Sequence, residues 1–424
     1  MFIAIRGERF DGHEFTRAAL DQGAAGVVVE TGRAAGMPPG GLVIEVSDTT
    51  RALQNVAREV RRRSGAQVVA ITGSAGKTTT KELTADFLSS RFSVFRNKGN
   101  LNNHIGLPLS LLELRTRPDV AVVELGMNHA GEIRTLVGIA EPDVRVWTNV
   151  GDAHLGFFES ADRIADAKAE ILGGARPTDR LIANADDARI MSRVGTFPGR
   201  TVTFGISERA DVRASGVQHR GLDGMAALLA TPAGTVHIST PLLGMGNLLN
   251  LLAAAAVAGD FGVPLEEIAT RTSRLTPAAR RGELLRMPGG ITLIDDSYNS
   301  SPSALMRALE TVRASSGSAR KVAVLGEMLE LGDHSQRLHE QCGRAAAEAS
   351  LDLLIVVGGQ AASQLATAAR SAGMADAAVL YAPTSDEAAA IALERVRPGD
   401  LVLVKGSHGI RTDVVVDRLK VEFA

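Results

Sequence analysis

The sequence predicts an α/β protein of three domains: a small N-terminal α/β unit, a central domain with a parallel sheet and a P-loop, and a C-terminal Rossmann-like domain. Three observations carry this. The chain has 424 residues, which at roughly 150 residues per domain makes about three hydrophobic cores. Short apolar runs of strand length alternate with helix-length stretches from end to end, the pattern of parallel strands joined by crossover helices. That pattern also restarts after Arg281.

Taken in order, residues 1–65 place strands at 25–29 and 41–46 and a helix at 49–63. Residues 66–281 form the central unit. Its buried-strand runs at 68–72, 120–124 and 144–149 are separated by helical segments, and 211–241 alternates like antiparallel strands added to the same sheet. Residues 282–424 restart with strands at 290–295, 321–326, 353–358 and 400–405, with helices between them, as in an open doubly wound sheet.

Composition narrows the function classes. A net charge of −2 leaves no basic footprint, so nucleic acid is not an expected partner. The single cysteine, Cys342, excludes an internal disulfide framework and a cysteine-rich metal site, and it suits a reducing, cytoplasmic setting. The alanine-rich run 248–258 is too short to span a bilayer and the first ten residues lack a long apolar stretch, so no membrane segment is expected.

Chemistry concentrates at strand ends. The run 68–72 leads into Gly73-Ser74-Ala75-Gly76-Lys77-Thr78-Thr79 and then a helix-compatible stretch. Strand, glycine loop and helix N-terminus in that order cradle phosphate: backbone N–H groups face the anion, Lys77 reaches the terminal phosphates and the Thr78 hydroxyl can ligate Mg²⁺. Ile71 stands where the general P-loop pattern has its first glycine. Glu124 closes the run 120–124, and His154 follows Thr148-Asn-Val-Gly-Asp-Ala153. A carboxylate and an imidazole there could hold Mg²⁺ during phosphoryl transfer, while hydrogen-bonded loop residues are the equally weighted alternative. Lys168 falls on a probable helix, 161–172, whose other charges look solvated, so spacing alone favours a surface lysine. Asp295-Asp296 leads into Ser297-Tyr298-Asn299, a turn able to bind ribose or a base, or simply to start a helix. The amides in Asn100-Leu-Asn-Asn-His104 could read a polar substrate, and turn chemistry explains them equally well.

Together these motifs resemble the Mur ligases of peptidoglycan synthesis, almost end to end. Their P-loop also lacks the early glycine, which accounts for Ile71. The resemblance implies a cytoplasmic bacterial ligase that uses ATP and Mg²⁺, with a central ATPase domain and an N-terminal domain that binds the UDP substrate. It implies that Thr78, Glu124 and His154 hold Mg²⁺, that Lys168 is carbamylated and positions a second Mg²⁺, and that Lys77, Lys168 and His154 serve catalysis. Nucleotide contacts are implied for 73–79, Asn247, Arg281, Asp296, Tyr298 and Asn299, and substrate contacts for Asn102, Asn103 and His104. The combination of Asp295-Asp-Ser-Tyr-Asn299, Leu325-Gly-Glu-Met-Leu-Glu-Leu-Gly332 and Lys405-Gly-Ser407 is most similar to the member that joins D-alanyl-D-alanine to UDP-MurNAc-tripeptide, expected here as a monomer. The member adding a single diamino acid is the alternative within the family, and a non-ligase P-loop ATPase is the alternative outside it. Departures are Arg280 where glycine commonly precedes the motif arginine, His408 where arginine is common, Ser300-Ser301 before Pro302, and a beginning that lacks the family's Asp-Ser-Arg segment, pointing to a truncated or misassigned start.

Overall fold

The computed structural model describes residues 1–7, 9–35, 41–153 and 155–423, and in it the strands gather into three sheets. Strands β1 (Phe2–Ile3), β2 (Gly26–Glu30) and β3 (Leu42–Val46) form a small parallel sheet over Ala4, Val27 and Val29. Helix α1 (Thr49–Ser64) follows. It is capped by Asp48, whose carboxylate accepts from Arg51 N at 2.9 Å, and closed by Gly65 in the left-handed conformation (φ 74). Its inner face turns to the middle of the molecule. Ala57 joins the core of the central sheet, and Arg61 donates to Ala140 O and to Asp143.

The central sheet contains β4 (Gln67–Thr72), β5 (Val94–Arg96), β6 (Val120–Glu124), β7 (Val144–Trp147), β8 (Arg180–Asn184), β9 (Arg200–Gly205), β10 (Val212–His219), β11 (Met225–Thr231) and β12 (Gly234–Thr240). Their order is β12-β11-β10-β9-β8-β7-β4-β6-β5, parallel from β5 to β10 and antiparallel beyond. β4 lies between β6 and β7, pairing Ile71 with Glu124 and Thr72 with Trp147. The chain thus crosses from one side of β4 to the other between β6 and β7. A crevice opens at such a switch, beyond the carboxyl ends of the strands. β4 and β6 are buried on both faces, which is why they read as unbroken apolar runs. Helix α2 (Lys77–Leu88) follows β4, α3 (Gly106–Leu111) precedes β6, and α4 (Ala161–Ala169) follows β7. The alanine-rich run is the core of α5 (Gly244–Asp260), which packs on α2. Among the described residues no helix is long and apolar enough to cross a membrane.

The last sheet comprises β13 (Glu283–Arg286), β14 (Thr292–Asp296), β15 (Arg320–Gly326), β16 (Leu353–Val357), β17 (Val379–Ala382) and β18 (Asp400–Lys405), in the order β13-β14-β18-β15-β16-β17. Only β13 runs antiparallel. It and β17, four residues each, lie at the two edges, where short runs leave little apolar signature. Helices α6 (Pro302–Ala314) and α7 (Ser335–Glu348) cover this sheet. One buried cluster runs from Leu155 and Leu243 of the central unit into Leu305 and Leu331 of the last.

Candidate active site

The glycine loop predicted to cradle phosphate begins where β4 ends. Gly73 (φ 155) and Gly76 (φ 80) take backbone angles that suit glycine. A β carbon on Gly73 would run into Thr148 Oγ1, and one on Gly76 into the Asn250 carboxamide. The loop is braced from β7: Ala75 N donates to Asn149 Oδ1 at 2.8 Å, Asn149 Nδ2 to Ala75 O at 2.9 Å, and Gly151 N to Ser74 Oγ at 2.9 Å. At the start of α2 the first-turn N–H groups have no intrahelical acceptors and so suit an anion. Lys77 Nζ donates to Gly73 O at 2.9 Å, which lays the side chain along the loop. Burial pushes its pKa down; nearby Glu124 opposes that shift and Arg281 adds to it.

Thr78 Oγ1 donates to Glu124 Oε2 at 2.7 Å, and Asn102 Nδ2 donates to Glu124 Oε1 at 2.8 Å. Glu124 itself is fixed by its backbone N–H donating to Asn97 Oδ1 at 3.0 Å. Asn103 uses its carboxamide oxygen to accept from Gly106 N (2.8 Å) and Ile105 N (3.2 Å) at the start of α3, so turn chemistry claims that atom. His104 is exposed on the rim. His154 lies outside the described residues.

Lys168 corrects the surface reading drawn from spacing. It is 1% exposed, and the helix stops at Ala169, with 170–172 continuing as a 3₁₀ turn. Burial, then the charge of Lys77, holds its pKa well below the lysine range, with Glu124 acting in the opposite direction. Among the described residues no hydrogen bond or ion pair reaches its ammonium group.

The opposite wall comes from the last domain. Arg281 lies over the Tyr298 ring, 4.1 Å from guanidinium carbon to ring centre, and the His408 ring lies 5.6 Å from that of Tyr298. Lys405 Nζ binds Asp296 Oδ2 at 2.6 Å and Asn299 O at 3.0 Å. Asn247 Nδ2 donates to Leu243 O at 2.9 Å at the start of α5. Arg280 adopts the left-handed conformation (φ 60), where a glycine would be unstrained, and pairs with Asp413 at 2.9 Å. The turn after Asp296 does not end in a side-chain cap, because Ser301 makes no such bond to α6.

The two walls enclose one cleft of about 600 Å³. It brings together Ser74 to Thr79, Asn102, Asn103, His104, Glu124, Asn247, Arg281, Asp296, Tyr298 and Asn299; Gly73 and Lys168 do not line it, although buried Lys168 feels the charges of Lys77 and Glu124. Sequence reasoning missed the brace through Thr148 and Asn149, the Asn97 support of Glu124, the contact of Asn250 with Gly76, and Arg307 on the far wall. Bonds between residues so far apart in sequence leave no local pattern.

The donor set suits a nucleotide with Mg²⁺. A hydroxyl and a carboxylate, both hard oxygen donors, stand side by side at Thr78 and Glu124, beside a cradle for phosphate. Among the described residues no group of three or more His, Cys, Asp or Glu could hold a metal without such help.

Known proteins resemble this chain over nearly its whole length. The Mur ligase middle domain matches residues 71–258, and the Mur ligase glutamate ligase domain matches 280–408. The UDP-N-acetylmuramoyl-tripeptide--D-alanyl-D-alanine ligase of Bacillus subtilis (strain 168) is 34% identical over 420 residues, 99% of this chain and 90% of that protein. A crystal structure of MurF from Acinetobacter baumannii superposes with a TM-score of 0.88 at 31% identity, covering 98% of this chain and 89% of that one. The MurF ligase of Thermotoga maritima in complex with ADP superposes with a TM-score of 0.87 at 30% identity, over 100% and 94% of the two chains.

Proposed function

The chain belongs to the Mur ligase family, and from that premise we infer that it is an ATP-dependent ligase joining D-alanyl-D-alanine to UDP-MurNAc-tripeptide in peptidoglycan synthesis. The observation that carries this reading is the cleft in which a glycine loop from one domain faces the Asp296 to Asn299 wall of another, in a chain that matches such ligases along 99% of its length.

In this reading residues 1–65 hold the UDP moiety, 66–281 the ATP phosphates and 282–424 the ribose and base. The tripeptide carboxylate attacks the γ-phosphorus of ATP, forming an acyl phosphate and releasing ADP. The free amine of the dipeptide then adds to the acyl carbon, loses a proton, and expels phosphate as the amide forms. No enzyme nucleophile is needed, so the residues act by position and charge. Lys77 turns from Gly73 O to the transferring phosphoryl oxygens. Arg281, Tyr298 and Asp296 hold the nucleoside, with Lys405 fixing Asp296. Asn102 orients Glu124 and, with Asn103 and His104, borders the peptide end of the cleft. Thr78 and Glu124, with His154, would hold Mg²⁺, which neutralises phosphate charge when bound. Lys168, carbamylated by adding its neutral amine to CO₂ with loss of a proton, would supply a further anionic ligand. The reading includes a monomeric enzyme in the bacterial cytoplasm.

The test measures phosphate release with UDP-MurNAc-tripeptide plus either D-alanyl-D-alanine or a single amino acid, with the product identified by mass. Release and ligation with the dipeptide are expected; a product gaining one amino acid would move the assignment to the other family member, and release without either amine would make the chain an ATPase. Lys77→Ala should lower substrate-dependent ADP release by at least about a hundredfold, the scale of losing one preorganised charge at a transferring group. Near-normal turnover in that variant would refute the phosphate assignment.

A further inference from the structure

Three residues one turn apart on α6 each press on a glycine of the central domain. A β carbon on Gly151 would lie 3.3 Å from Ser303 Oγ, one on Gly246 would lie 3.4 Å from Arg307 Nε, and one on Gly244 would lie 2.8 Å from Thr311 Oγ1. Residues 303, 307 and 311 share one helical face. That face therefore docks the last domain against two segments of the nucleotide wall: the 149–151 brace of the phosphate loop and the beginning of α5.

Arg307 is the charged member of the face, and it lines the cleft. The other lysines and arginines lining the cleft all have partners. Lys77 binds Gly73 O, Lys405 binds Asp296, and Arg281 stacks on Tyr298. The Arg307 guanidinium makes no hydrogen bond or ion pair among the described residues. Glu310, Asp296 and Asp152 attract it from a distance, and burial works against its charge. A half-buried guanidinium with five donors and no acceptor is costly unless an anion comes to it.

Its position selects the anion. Gly246 lies in the first turn of α5, one turn before Asn250, and the Asn250 side chain abuts Gly76 of the phosphate loop. Arg307 thus reaches from the far wall to the N-terminal end of α5, one turn from the residue that abuts the loop. We propose that Arg307 is a phosphate-binding residue of this ligase: delivered by the docking of α6, its guanidinium takes a phosphate oxygen of the bound nucleotide. This deepens the reading above and rests on the cleft binding ATP. In this arrangement the last domain contributes charge to the phosphates as well as a pocket for the nucleoside, so nucleotide binding favours the docked state.

The test uses the full chain with Arg307→Met, which keeps an apolar stem, Arg307→Lys, which keeps the charge, and Thr311→Ala, which trims the same docking face. Affinities for ADP and for a non-hydrolysable ATP analogue are measured by calorimetry in Mg²⁺ buffer, and KM for ATP and for D-alanyl-D-alanine are measured in turnover. Arg307→Met should weaken at least one nucleotide about tenfold, the loss expected for one charge-assisted hydrogen bond. Arg307→Lys should recover part of that loss, Thr311→Ala should stay within about threefold of wild type, and KM for the dipeptide should not move. Loss on both nucleotides assigns Arg307 to the shared phosphates, whereas loss on the analogue alone assigns it to the transferred one. Unchanged affinity for both, or equal losses in Arg307→Met and Thr311→Ala, overturns the proposal. Calorimetry needs no ligase turnover, so these outcomes are separate from the choice of amine substrate, which the wild-type product mass decides.

Discussion

At Lys168 the surroundings favour the neutral amine. Burial removes the water that would solvate an ammonium, and the Lys77 charge adds repulsion, so the pKa falls well below the lysine range despite Glu124. The neutral amine is the form that adds to CO₂, and the carbamate it gives would carry the anion that Mg²⁺ prefers. Carbon-13 bicarbonate should therefore produce a carbamate carbonyl signal that Lys168→Arg lacks, and that variant should lose turnover by about a hundredfold or more. Wild-type enzyme in CO₂-stripped buffer should lose rate and regain it on adding bicarbonate at fixed pH. A rate indifferent to CO₂, together with no carbamate signal, would leave Lys168 a buried cation. The residue could have been placed from sequence by a stricter use of period. Ile164, Lys168 and Ile171 follow one another at four and three residues, which puts the lysine in the apolar stripe of its helix, and all three are buried. Asp162, Arg163 and Asp166 lie on the opposite, exposed face of the same helix.

The segment after β15 shows how an element's end is shaped for the cleft. Met328 N donates to His339 Nε2 at 2.9 Å, so that nitrogen is an acceptor and Nδ1 carries the proton, which it gives to Ser335 O at 2.8 Å. Leu329 N donates to Ser407 Oγ at 3.0 Å, and Gly359 N to Glu327 Oε2 at 2.5 Å. His339 on α7 thereby supports the 327–331 segment from inside. Its ring is fully buried, and burial lowers its pKa from 6.5. A histidine held neutral in the fold but free to protonate when unfolded stabilises above its unfolded pKa, and that stability is lost as pH falls towards the folded one. Urea unfolding should give a wild-type free energy that declines from pH of about 7 to about 5.5, starting near the ordinary histidine pKa. His339→Ala should be less stable by about 1–3 kcal/mol at neutral pH, because Met328 N–H is orphaned, and should have a flatter profile. Parallel profiles would mean that other groups set the acid sensitivity. Elements of this kind divide by how they announce themselves. β4, β6 and β18 are buried on both faces and were legible as apolar runs, and the phosphate loop as glycines between a strand and a helix. β5, with three residues, is too short for a period, and β8 and β9 sit among mixed residues whose burial is decided by α5 packing over them. Asn97, Asn149 and Asn250 each act through a pair of side-chain hydrogen bonds, at least one of them to a residue distant in sequence, and amides look alike in sequence whether they brace a site or close a turn.

On the scale of the whole molecule, the cleft exists only because the last domain docks on the central one, and a backbone contact between residues that do not line the cleft shares that task. Gly156 N donates to Glu330 O at 2.7 Å, joining the segment after β7 to the segment after β15. A β carbon on Gly156 would meet Gly332 N at 2.8 Å and Glu330 O at 2.9 Å, both backbone atoms that cannot rotate away. Gly156→Ala therefore leaves each domain's core intact and pushes the two domains apart at this point. The phosphate loop lies wholly within the central domain, so ADP affinity should fall by no more than the share that the far wall contributes. Turnover should fall further, by about a hundredfold, because a displacement of about 1 Å between reacting groups costs on that order. Gly332→Ala approaches the same contact from the other side, with its β carbon 2.8 Å from Gly156 Cα. It should reproduce the loss in kcat, and its positive φ of 53 adds local strain that lowers stability as well. Because both changes open one contact, the double variant should be scarcely slower than either single one, whereas independent local damage would multiply. Small-angle scattering should report a larger radius of gyration for Gly156→Ala in the presence of ATP analogue and peptide substrate. Full turnover in Gly156→Ala would show that the Gly156 contact forms alongside docking without controlling it, leaving α6 and its three glycine contacts to hold the cleft closed.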